Sequence, residues 1–218
     1  MKIAVCIGGY LRDYDTKLAQ FRANVIRDHD CDFFVHSWDT VRDFNGDARP
    51  ANIADILQVI NPAAYEFETF ADQELNILRE ASYYTRHYEW DRPPNLVSML
   101  RKIYLCDLLR RRHEQQLGFK YDVVIRTRTD LTFHSPIMIE NFDLSVLHTP
   151  VEVSYDIISD VFSFANSDVM TRYSDLYINL KNLYDTTKVM FNPHYVMLEY
   201  LQQNNIPFAK HHMNLVLR

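Results

Sequence analysis

The run Tyr121-Asp122-Val123-Val124-Ile125-Arg126-Thr127-Arg128-Thr129-Asp130-Leu131 joins the apolar residues of a core strand to two cations and a carboxylate. Side chains on a strand alternate between faces. Arg126, Arg128 and Asp130 therefore share one side, about 6.5–7 Å apart pair by pair, and Thr127, Thr129 and Leu131 share the other. Charges at the end of a core strand are costly to bury without partners. A diphosphate with a divalent metal is one such partner. The competing reading is a salt-bridged strand end facing solvent.

Two further strand ends carry unusual residues. The apolar run Ile3 to Ile7 is followed by Gly8, Gly9, Tyr10 and Arg12, and a second strand from Cys31 ends in His36, Ser37, Trp38 and Asp39. Tyr10 and Trp38 either pack in the core or stack on a nucleobase. Arg12 either pairs with Asp13 or Asp15 or reaches a phosphate. Asp39 either caps a turn or holds the polar edge of a base or ribose. Downstream, Asp156 and Asp160 are candidate general bases, with a solvated turn as the alternative. Asp168 reads as a helix cap, His194 falls in the first turn of the last helix, and the pair His211 and His212 beside the last strand is weak evidence for a metal.

The elements that must position these residues alternate. Strands are expected at Lys2–Ile7, Cys31–His36, Tyr65–Phe70, Tyr121–Leu131 and Val161–Ala165, with an extended tail over Phe208–Arg218. Helices are expected at Thr16–Arg27, Ala51–Val59, Glu74–Tyr83, Asn95–Gln116, Asp168–Leu183 and Pro193–Gln203, from apolar residues at helical spacing. That alternation implies an α/β domain with a mostly parallel central sheet flanked by helices. In such sheets ligands bind beyond the carboxyl ends of the strands, where the three unusual ends converge. The helix Asn95–Gln116 is apolar almost all round, so it is buried. Its Ser98, Arg101 and Lys102 nevertheless share a face at i, i+3 and i+4. They lie near the helix N-terminus, where the dipole and free N–H groups favour phosphate, unless they merely snorkel to solvent. Arg110-Arg111-Arg112 reads as a solvated last turn.

Bulk properties narrow the classes. The 218 residues, 47% hydrophobic and 24% charged, read as one soluble domain spanning 1–218. A net charge of −6 argues against nucleic acid as a partner, so any anion needs a local basic site. No apolar run approaches the roughly 20 residues of a transmembrane helix, and the N-terminal run is too short for a signal-peptide core. Three unclustered cysteines suggest reduced thiols and a cytoplasmic setting. Gly8-Gly9 is not a dinucleotide fingerprint, and no Walker loop is present.

The opening Ile3-Ala4-Val5-Cys6-Ile7-Gly8-Gly9-Tyr10-Leu11-Arg12, the strand Phe33-Phe34-Val35-His36-Ser37-Trp38-Asp39 and the arginine strand, with Ser98-Met99 in the helix between, resemble small GT-A-fold glycosyltransferases. Those encoded by chlorella viruses, and related bacterial polysaccharide-synthesis proteins, are the members they resemble. The resemblance implies a single GT-A-like, Rossmann-like domain, and a nucleotide-sugar donor, UDP-linked. It also implies a glycan or other hydroxyl acceptor, and a divalent metal (Mn²⁺ or Mg²⁺) at a DxD-type motif. Arg128-Thr129-Asp130 keeps only the second carboxylate of that motif, which leaves Asp130 as the single metal ligand. Arg126 and Arg128 could neutralise the diphosphate directly, so metal independence stays open. On this reading Gly8, Gly9, Tyr10, Arg12, Trp38, Asp39, Ser98, Lys102, Arg126, Arg128 and Asp130 bind the donor. Asp160 deprotonates the acceptor and Arg128 stabilises the leaving group. The segments 41–46 and 83–94 shape acceptor choice. Two alternatives stand beside it: a sugar-phosphate nucleotidyltransferase, for which Gly8-Gly9-Tyr10-Leu11-Arg12 is a poor phosphate loop, and a non-catalytic nucleotide- or carbohydrate-binding module.

Overall fold

Ile3 to Ile7 and Val123 to Ile125 are unbroken apolar runs because both faces of their strands are covered, and none of these residues is more than 5% exposed. The computed structural model describes residues 1–42, 48–86, 92–151 and 157–217. The candidate base Asp156 and parts of the segments 41–46 and 83–94 lie outside the described residues. In chain order the elements are β1 Lys2–Gly9, α1 Tyr14–Phe21 (continued as a π-helical turn, Arg22–Ile26), β2 Asp30–Trp38, β3 Thr40–Arg42, β4 Ala48–Pro50, α2 Ile53–Ile60, β5 Ala64–Glu68, α3 Phe70–Ala81 and α4 Pro93–Leu117. They continue with β6 Val123–Thr127, β7 Leu131–Phe133, β8 Leu147–Pro150, β9 Ser163–Ala165, α5 Ser167–Ser174, α6 Leu176–Thr187, α7 Pro193–Gln203, β10 Phe208–His211 and β11 Leu215–Leu217.

Seven strands form the central sheet in the order β10-β8-β9-β6-β1-β2-β5. Pairing is parallel at β10–β8, β6–β1, β1–β2 and β2–β5, and β9 alone runs antiparallel to its neighbours. This is the helix-flanked, mostly parallel α/β sheet expected from the alternation of elements. The chain moves outward from β1 through β2 to β5, then returns to place β6 on the other side of β1. The gap between β1 and β6 is therefore a topological switch point, where a crevice opens at the carboxyl ends of parallel strands. On one face Ala4, Cys6, Phe34, Trp38 and Val124 pack under α4 to α7, and on the other Ile3, Val5, Ile7, Val35 and Ile125 pack under α1 and α2. Among the described residues no helix is long and apolar enough to cross a membrane.

The arginine run is not one strand. β6 ends at Thr127, Arg128 and Asp130 close a turn on each other, and Leu131 starts β7, which pairs with β11 in a separate two-stranded sheet. Leu131 and Phe133 are each 1% exposed, so burial on the α1 side redirects the chain. The expected helix Asp168–Leu183 is two, α5 and α6, and the cap of α5 is Asn166, which accepts from the Val169 N–H, rather than Asp168.

Helix α4 is the rod that sets the site. Pro93 and Pro94 open it, and Gly118 closes it in the left-handed conformation at φ 70°. The Arg110–Arg112 turn is not uniformly solvated. Arg110 is 0% exposed because its own helix supplies partners: Asp107 Oδ1 at 2.7 Å and Glu114 Oε2 at 2.7 Å, with Ser167 Oγ on α5 at 2.6 Å. At its other end α4 lies directly on β1. A Cβ on Gly8 would come within 2.7 Å of the Lys102 carbonyl oxygen. Gly8 is therefore required by helix–strand contact. Gly8→Ala is expected to push α4 off β1 and cost about 1–3 kcal/mol of stability, the range for overpacking. An unchanged chemical-denaturation midpoint would contradict that contact.

Candidate functional site

A cavity of about 780 Å³ opens at the β1–β6 switch point, within the size range of small-molecule and cofactor sites. The end of β1 contributes Gly8, Gly9, Tyr10 and Arg12, β6 and its turn contribute Arg126 and Arg128, and the segment before β9 contributes Asp160. The facing wall comes from α3 (Phe70, Glu74, Ile77, Leu78) and from the first turns of α4 (Leu96, Ser98, Met99) with Arg92 before them. Phe191, Asn192 and Pro193 close it at the start of α7. Four arginines and two carboxylates, Glu74 and Asp160, line this space. An acidic protein thus concentrates positive charge at one crevice.

The two β6 arginines are held differently. Arg126 is 2% exposed, donates to the Asp160 carbonyl oxygen, and its Nε has no partner among the described residues. Burial pulls its pKa down from the ordinary arginine value. Arg128 makes a bidentate pair with Asp130, Nε to Oδ1 at 2.8 Å and Nη2 to Oδ2 at 2.7 Å. Burial alone would lower the Arg128 pKa, but the hydrogen bonds and charge of Asp130 outweigh it and the net shift is upward. For Asp130, burial works to raise the pKa, and the hydrogen bonds and charge of Arg128, with the charge of Arg12, reverse it. Arg12 Nη1 lies 3.4 Å from Asp130 Oδ2.

Asp130 itself is 1% exposed and is not part of the cavity wall. A metal there does not fit, because both carboxylate oxygens already accept from guanidinium groups. One other group of potential ligands occurs among the described residues, His36, Glu66 and Glu68, with donor atoms within 4.8 Å of one another. It does not fit a cation either. Arg101 takes both Glu68 oxygens, at 2.5 and 2.6 Å, and Lys102 Nζ adds a third contact at 2.7 Å. The Lys102 ammonium also sits 3.2 Å from His36 Nδ1, where a divalent ion would meet it.

Of the residues singled out in the sequence, Gly8, Gly9, Tyr10, Arg12, Trp38, Ser98, Arg126, Arg128 and Asp160 meet at the cavity. Three do not. Asp130 stands behind Arg128. Asp39 accepts from the Phe70 N–H at 3.1 Å and so caps the start of α3. Lys102 is fully buried, bonded to Glu68 and the Ser37 carbonyl, with its ammonium 3.4 Å from the centre of the Trp38 ring. Trp38 is itself 1% exposed, with Lys102 over its ring and Phe70 edge-on, so it offers no open face for stacking. The less buried rings at the cavity are Tyr10 and Phe70, which are half-buried and 6.3 Å apart. The start of α4 offers phosphate little hydrogen bonding. Pro93 and Pro94 have no N–H, and the Asn95 and Leu96 amides turn back to the Arg92 carbonyl.

Burial drives the Lys102 pKa down to about 8, although Glu68 pulls it upward. Between about pH 8 and the ordinary lysine value of 10.5 the unfolded chain holds this proton and the folded chain does not. Stability therefore rises with pH across that window at this residue. Wild type is expected to gain stability relative to Lys102→Met from pH 8 to 10, measured by urea denaturation; parallel curves would contradict the shift. His36, held down to about 3 by burial and by Lys102, stays neutral throughout.

The sequence reading missed the α3 wall and the α7 start. Phe70 ends the expected strand Tyr65–Phe70 but is the first residue of α3, and Leu78, 46% exposed, joins it in the cavity wall. Comparison with described protein families and with curated proteins returns no match for this chain. Fold and site together define an α/β protein with an arginine-lined crevice at the switch point of its sheet.

Proposed function

We propose that the protein is a glycosyltransferase that moves a sugar from a nucleotide-sugar donor, UDP-linked by the resemblance of its motifs, to a hydroxyl acceptor such as a glycan. The observation that carries this reading is the meeting of Arg126, Arg128, Asp160, Tyr10 and Phe70 in one cavity at the β1–β6 switch point. The base lies against Tyr10 and Phe70, and the diphosphate over Arg126 and Arg128. The sugar points toward Asp160 and the start of α7.

The chemistry follows from charge. As the bond between the anomeric carbon and the phosphate oxygen breaks, its electron pair leaves on the nucleoside diphosphate. Fixed guanidinium groups stabilise that developing charge without reorganising. The Asp160 carboxylate takes the proton of the acceptor hydroxyl while the acceptor oxygen attacks the anomeric carbon, which inverts its configuration. Arg126 ties the backbone of residue 160 to β6, so base and leaving-group site keep one geometry.

Incubation with a panel of nucleotide sugars and simple glycosides tests this. Nucleoside diphosphate should be released and a glycoside formed. Release of pyrophosphate from a nucleoside triphosphate and a sugar phosphate would instead identify a nucleotidyltransferase. Donor binding with no turnover at long incubation would identify a binding module.

A further inference from the structure

We infer that this site holds a diphosphate with arginines alone, and that Asp130 is the positioning residue that locks Arg128 and Arg12 over it. The inference rests on the nucleoside-diphosphate reading above and replaces the carboxylate–metal–phosphate bridge that the DxD-like motif implies.

Three observations carry it. First, a carboxylate that binds a divalent ion turns a lone pair to it at about 2.0–2.6 Å. Asp130 is 1% exposed and absent from the cavity wall. Its Oδ1 accepts from Arg128 Nε at 2.8 Å, and its Oδ2 from Arg128 Nη2 at 2.7 Å with Arg12 Nη1 at 3.4 Å. A metal on Asp130 would sit against two guanidinium groups. Second, the carboxylate is buried behind Arg128, whereas Arg128 and Arg12 both reach the cavity wall. Asp130 thus acts on the cavity through the arginines. A bidentate fork fixes the plane of a guanidinium as well as its place, and leaves its remaining N–H groups to face a ligand. Third, Arg126 brings a buried cation to the same wall with no carboxylate in ion-pair range among the described residues, and with its Nε unpartnered. A buried charge of one sign is costly unless a counter-charge completes it. A diphosphate over Arg126 and Arg128 supplies that charge. A divalent cation in the same place would add to the imbalance.

Calorimetry decides the matter without a variant. Wild-type protein is titrated with UDP and with inorganic pyrophosphate, once in EDTA and once in Mn²⁺. The expected result is a UDP affinity in EDTA within about threefold of that in Mn²⁺, and no binding of Mn²⁺ alone. A UDP affinity at least tenfold higher in Mn²⁺ would overturn the inference and leave the nucleotide reading standing. Failure of UDP and pyrophosphate to bind in either buffer would overturn both. Asp130→Asn then tests positioning. Its UDP affinity in EDTA should fall tenfold or more, while binding of uridine, followed by saturation-transfer NMR, should be unchanged. Equal loss for uridine and UDP would mean that Asp130 only supports the fold.

Discussion

Arg128→Ala is expected to lower kcat/KM for the nucleotide sugar by about 10²–10³, the loss typical of removing one preorganised donor from a developing negative charge. Arg128 faces the cavity and is held rigid by two hydrogen bonds to Asp130, so its charge stands ready before the reaction. Two effects need separating, because the substitution also leaves buried Asp130 with Arg12 at 3.4 Å as its nearest arginine. Arg128→Lys separates them. It keeps a positive charge near Asp130 but loses the planar fork. The lysine variant should keep a near wild-type denaturation midpoint and still lose at least about tenfold in kcat/KM. If both variants turn over as fast as wild type, Arg128 does not touch the reacting phosphate.

Arg110→Ala is expected to destabilise the fold by about 3–5 kcal/mol, the cost of leaving buried charges without their partner. Arg110 neutralises Asp107 and Glu114 and bonds Ser167 and Thr171, so it joins α4 to α5 and sits far along α4 from the cavity. Cys6, on β1, lies in the same buried neighbourhood, and its thiol pKa is pushed up by the hydrogen bond to Cys106 and by burial. Chemical denaturation at neutral pH measures the loss. A midpoint within error of wild type would mean that water or a rearranged Asp107 compensates the removed cation.

The central strands were legible because apolar runs such as Val123-Val124-Ile125 need cover on both faces, and the helices because their apolar residues recur at helical spacing. The parallel order followed from their alternation. The helix Pro193–Gln203 was read with both ends in place, since Pro193 and the cap residue Asn192 mark its start. What failed to show had a physical reason in each case. β8, Leu147–Pro150, is only four residues long and includes a histidine and a proline, so no periodicity marks it. The break after Thr127 depends on a pair two residues apart, Arg128 and Asp130, and strand alternation places such a pair side by side without requiring it to bond. Arg110 looked solvated although its ion-pair partners Asp107 and Glu114 stand at helical spacing on its own helix, because α5, which covers it with Ser167 and Thr171, comes more than fifty residues later. Lys102 shared a helix face with Ser98, but Ser98 reaches the cavity, whereas Glu68 at the end of β5 draws Lys102 and Arg101 inward. Sequence spacing set which residues share a face; charge partners from distant elements decided which of them reach the cavity.

The central claim is that the cavity at the β1–β6 switch point takes a nucleoside diphosphate. A thermal-shift panel of nucleosides, nucleoside monophosphates and nucleoside diphosphates tests it most directly. A ligand at about 100 times its Kd stabilises the folded state by about 2.7 kcal/mol, which corresponds to roughly 5–10 °C for a chain of this size. The account predicts a shift of that order for one nucleoside diphosphate, a smaller one for its monophosphate, and loss of both in Arg126→Met. No shift with any nucleotide, or an equal shift in Arg126→Met, would contradict it.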